Sequence, residues 1–147
     1  MRRIAHSLLA ALFLATAIPA PASAQQPPHA WLFGTWTGGL FPVPSSLSTQ
    51  ACLSQPVVIF TRDLVLRATL TEQVLTQREV ESVRAQSGAD EFRFRAVAPT
   101  VPAFGGAPRT AGFGCENPDV LHVVKRGENE ISFPGCPDFP NPLVRCR

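Results

Sequence analysis

The chain has 147 residues, 45% of them apolar, with 13 basic and 11 acidic side chains. A formal charge of +2 is too small to hold nucleic acid or an anionic membrane by charge alone. The length fits one domain with a real hydrophobic core.

Residues 1–24 read as a secretory signal peptide rather than as structure. Arg2 and Arg3, the apolar run from Leu8 to Ile18, and Ala22-Ser23-Ala24 supply its charged, apolar and small-residue parts, with cleavage expected after Ala24. The apolar run is too short to span a bilayer. Gln25 rather than Cys follows the expected cut, which argues against a bacterial lipid anchor, and the residues after Arg2-Arg3 do not complete a twin-arginine pattern. Loss of Arg2 and Arg3 leaves as many basic as acidic residues, so residues 25–147 form a neutral single domain, exported to the periplasm or secreted. Lys125 is its sole lysine.

The stretch from Trp31 to Phe41 holds both tryptophans. No single helical or strand period puts Trp31, Phe33 and Trp36 on one face. A helical turn over 30–33, a change of direction at Gly34 and a strand from Thr35 do better, sending Trp36 into a core and Thr35 and Thr37 to the other face. Gly38 and Gly39 weaken that strand and mark a bulge, bend or close backbone approach. Gly34-Thr35-Trp36, after a short apolar turn, resembles the Gly-x-Trp motif that opens the first strand of lipocalin-like (calycin) barrels. The resemblance implies that Trp36 closes one end of a small barrel under an arginine from the last strand, here Arg145. It covers about a dozen residues at the two ends of the chain. The alternative is a core tryptophan of another small all-β fold.

Residues 42–56, rich in Pro and Ser, form a long loop; lipocalin-like barrels carry a similarly long first connection. From Val57 to Thr61 the chain is apolar and β-branched, Arg62-Asp63 turns it, and Leu64, Leu66, Ala68 and Leu70 alternate with polar or smaller neighbours. Those four are expected to face inward. Residues 72–85 tolerate a helix, but the turn cluster 86–90 and the alternation from Glu91 to Val97 favour a hairpin. Centred on Gly88, it opposes Glu81 to Arg95 and groups Phe92, Phe94 and Ala96 with Val80 and Ser82.

Residues 99–114 are a Pro/Gly-rich loop carrying Phe104 and Phe113, read as a surface loop or as a mobile lid. Val120–Val124 and Glu130–Phe133 form a last hairpin, and the proline-rich tail from Pro134 to Pro142 is an irregular strap. Cys52, Cys115, Cys136 and Cys146 imply two disulfides, with Cys52–Cys115 and Cys136–Cys146 the preferred pairing of three. The fold class is all-β: a small antiparallel barrel of about eight strands with long Pro/Gly-rich loops.

No catalytic constellation emerges. There is no G-x-S-x-G, the acids are scattered, His29 is assigned to a frayed N-terminus and His122 to one face of a strand. The cysteine spacing offers no zinc site, and no metal or cofactor is expected. Alternation puts the rings of Phe92 and Phe94 and the cations of Arg93 and Arg95 on opposite faces, which argues against nucleic acid. The leading expectation is a non-enzymatic exported binding protein holding a small apolar ligand, contacted by Phe41, Phe60, Phe92, Phe94, Phe104 and Phe113. Trp36, Arg145 and the four cysteines are structural. Against it stand an inhibitor or interaction module for an envelope or extracellular enzyme, of protease or lysozyme inhibitor type, and a structural envelope component. A hollow interior favours the first, and a filled interior with Phe104 or Phe113 exposed on a rigid loop favours the second.

Overall fold

The computed structural model describes residues 26–42, 52, 56–68, 75–99 and 112–146. A 3-10 turn, Ala30–Leu32, precedes eight strands: β1 Gly34–Gly38, β2 Val57–Phe60, β3 Leu64–Ala68, β4 Thr76–Gln86, β5 Ala89–Phe94, β6 Val120–Lys125, β7 Glu130–Ser132 and β8 Leu143–Arg145. Each pairs antiparallel with the next, and β8 returns to β1 to close the barrel. No helix among the described residues is long and apolar enough to cross a membrane.

Gly34 makes the entry at φ +118°, which L side chains rarely adopt, and the strand it starts points Trp36 into the core. Thr37 faces the other way yet is also covered, its hydroxyl donating to the carbonyl of Pro56 at 3.0 Å. Residues 76–86 form the strand favoured over a helix.

The face of β3 is the reverse of the one expected. Val65 and Arg67 point inward, whereas Leu64, Leu66 and Ala68 are half-buried on the outside; Leu70 lies outside the described residues. The turn decides this. Thr61 bonds Leu64 through both its amide and its hydroxyl, which sets Phe60 opposite Val65 and Val58 opposite Arg67. Opposed residues share a face, so with Val58 and Phe60 in the core, Arg67 follows. Its charge is met by the exposed Asp138 at 2.6 Å and by the carbonyl of Gly112 at 2.9 Å, with the guanidinium over the Phe139 ring.

The β4–β5 hairpin also differs in register. Its turn has two residues, Ser87 and Gly88, so Gln86 opposes Ala89 and Val83 opposes Phe92. A bulge at Glu81 then brings Val80 opposite Phe94. Phe92 and Phe94 are interior and Val80 packs on the core, but Ser82 and Ala96 are exposed, and the charge pair is Glu79–Arg95 at 3.0 Å rather than Glu81–Arg95.

Two disulfides close the molecule, in the pairing that was not preferred: Cys52–Cys146 and Cys115–Cys136. The amide of Glu116 donates to the carbonyl of Gly135, setting Cys115 beside the strap that carries Cys136. β8 then takes the chain to the opposite end of the barrel, where the Cys146 amide donates to Thr35. The height of the barrel thus separates Cys136 from Cys146.

Candidate functional site

The two ends of the barrel are built differently. At the end where the 3-10 turn sits, Trp36 donates from Nε1 to the carbonyl of Leu32 at 2.8 Å. Arg145, directly opposite Trp36 in the β1–β8 ladder, lays its guanidinium 4.2 Å from the centre of the Trp36 ring. It also donates to the carbonyls of Phe33, at 2.7 Å, and Trp31. A planar cation with fixed donors is suited to this double task of covering a ring and tying down a turn.

His29 belongs to the same end and is not frayed. It is 4% exposed, donates from Nε2 to the carbonyl of Arg62 at 3.1 Å, and meets Phe33 and Phe92 edge-on. Its Nδ1 is buried without a hydrogen-bond partner among the described residues. Nearby Asp90, 3% exposed, accepts a hydrogen bond from Trp31 Nε1 at 2.8 Å. Burial pushes the Asp90 carboxyl above its ordinary value, opposed by the Trp31 hydrogen bond and the charge of His29. The sole lysine, Lys125, holds its ammonium 5.3 Å from the Trp31 ring centre. Trp31, Gln86, Gly88, Ala89, Asp90 and Lys125 line a cleft of about 140 Å³ between the 3-10 turn, the β4–β5 turn and β6.

Between the two ends the barrel is packed with rings. Phe60 meets Phe92 at 5.4 Å and Phe133 at 6.3 Å, Phe92 meets Phe94 at 6.3 Å, and Phe94 meets Phe113 at 5.2 Å. Each of these rings is 3% exposed or less. Arg78, fully buried on β4, lies over Phe94 and donates to Asp119 at 2.5 Å and to the carbonyls of Pro118 and Arg95.

At the mouth, where β1 and β5 end and β4 begins, Leu40, Phe41, Leu75 and Val97 are exposed. Leu40 and Phe41 stand 38% and 49% exposed on a turn held by the strap. Gly39 donates to the carbonyl of Pro142, and Asn141 donates from its amide to Gly39 and from Nδ2 to Leu40. A Cβ at Gly39 would come within 2.4 Å of the Phe139 ring, so the turn and the strap are in close contact. An open cleft of about 400 Å³ follows the same strap past Phe133, Pro137 and Pro140.

Of the residues assigned to ligand contact, Phe60, Phe92, Phe94 and Phe113 therefore come together as core, and Phe41 stands alone at the mouth. Phe104 lies outside the described residues. The cluster of His29, Trp31, Asp90 and Lys125 was not anticipated. Its one signal in the sequence is the position of Asp90 two residues after the turn glycine, on the inward side set by Phe92 and Phe94. No group of three or more metal-ligating side chains occurs among the described residues. No protein family, curated protein or solved structure matches the chain in comparisons of sequence and fold.

Proposed function

We propose that this is an exported, non-enzymatic interaction protein of lipocalin-like type, which binds an envelope or extracellular enzyme at the barrel mouth in the manner of an inhibitor. One observation carries this reading over the apolar-ligand alternative. The rings assigned to a ligand, Phe60, Phe92, Phe94 and Phe113, are spent on one another in the core, whereas Leu40 and Phe41 stand exposed on a turn already immobilised by the strap. A rigid exposed aromatic loses little freedom on binding, which is what an anchor residue requires. Two disulfides agree with an oxidising, exported environment.

The experiment is to express the full chain with export and purify the processed protein. Native mass spectrometry then asks whether a small molecule is retained, and secreted proteases and lysozymes are titrated for inhibition. The expected outcome is a protein without an apolar ligand that inhibits one enzyme class, with inhibition lost in Phe41→Ser. A small apolar molecule retained by the native protein and released on unfolding overturns this reading in favour of the ligand-binding barrel; a retained amino acid does not.

A further inference from the structure

The cleft at the end opposite the mouth has features that the proposed function does not use. Asp90 and Lys125 both line it, one anionic and one cationic, yet they form no ion pair within 4.0 Å. Lys125 instead rests over the face of Trp31. The Asp90 carboxylate has one hydrogen-bond donor among the described residues, Trp31 Nε1, although a carboxylate accepts about four. Neither Asp90 oxygen is among the buried atoms left without a partner, so this unused capacity is open to a donor that enters the cleft. Burial also raises the pKa of the Asp90 carboxyl, and a cation brought against it favours the ionised form.

We infer that this cleft binds a small zwitterion, the headgroup of an α-amino acid, with its ammonium against Asp90 and its carboxylate against Lys125. The two charges exclude the simpler occupants. An isolated cation is opposed by Lys125 and an isolated anion by Asp90, whereas a zwitterion of matching polarity meets both. The indole of Trp31 offers a flat wall, and the Gln86 amide adds one donor and one acceptor. At about 140 Å³ the cleft holds the equivalent of about four or five waters, taking ~30 Å³ for each. That is the scale of glycine, alanine or serine.

Because the protein has two tryptophans, one in the cleft wall and one in the core, the ligand can be read at a single residue. The full chain labelled with 5-fluorotryptophan should give two fluorine resonances, assigned with Trp31→Phe. Glycine and alanine should shift the Trp31 resonance saturably and leave Trp36 in place. Asp90→Asn and Lys125→Met should each raise the half-saturating concentration by roughly tenfold or more. An unmoved Trp36 resonance reports that each variant is folded, and Lys125→Met suffices if Asp90→Asn is not. The inference is overturned if neither amino acid produces saturation, if methylammonium or acetate alone does as well, or if the shift survives Lys125→Met unchanged. None of these outcomes depends on inhibition at the mouth, so the two readings fail separately.

Discussion

Arg145 shows how much of this fold rests on single side chains. Its guanidinium covers Trp36 and holds two carbonyls of the entry turn, so truncation uncovers a large ring and leaves part-buried acceptors unmet at once. Arg145→Ala should cost about 2–4 kcal/mol in urea unfolding. Arg145→Lys should recover little of it, because an ammonium cannot lie flat on the ring while reaching both carbonyls. Asp90 makes the opposite kind of contribution. Its carboxyl titrates above the ordinary value when folded, so the folded state holds the proton more tightly than the unfolded one. Stability from this group is present below the ordinary carboxylate value and is lost as pH rises through the raised one. The groups facing it are His29, the Trp31 indole and Lys125. Asp90→Asn should therefore flatten the fall in stability over that window, measured as urea midpoint against pH.

At the scale of elements, turn chemistry and bulges decide which side chains reach the core. Glu79–Arg95 lies on the solvent side of the hairpin, with side chains about half or more exposed. Removing it with Glu79→Ala should cost less than about 1 kcal/mol. Gly39 is a stricter position. At φ +84° and with the Phe139 ring 2.4 Å from any Cβ, Gly39→Ala must displace the strap from the β1 turn. The variant should lose about 2 kcal/mol or more. It should also free Leu40 and Phe41, weakening partner binding even though neither residue is altered. Phe41→Ser is the complementary probe, with stability within about 0.5 kcal/mol of the parent and binding lost.

For the whole molecule, the disulfides tie distant parts of the barrel: one spans 94 residues of chain, the other 21. In the chain-entropy account the longer loop stabilises more, about 4–5 kcal/mol against about 3. Paired Cys→Ser replacement at 52 and 146 should therefore lower the denaturation midpoint more than replacement at 115 and 136. Reduction of both should approach the sum.

What the sequence determined by itself was local. Period-two alternation, turn residues and the Gly-x-Trp entry were enough for an all-β barrel of eight strands, for strand rather than helix over most of 72–85, and for the placement of Trp36 in the core. Those features depend on a few neighbouring residues, so they can be read along the chain. The tertiary structure decided whatever hung on register. One residue in a turn or a bulge exchanges inside for outside, which is why Arg67 rather than Leu66 is interior and why Val80, not Ser82, stands opposite Phe94. The disulfide pairing followed from which end of the barrel each cysteine reached. The cluster of His29, Trp31, Asp90 and Lys125 came from four places that only barrel closure brings together, since a charge buried by remote elements leaves no periodic trace in its own segment.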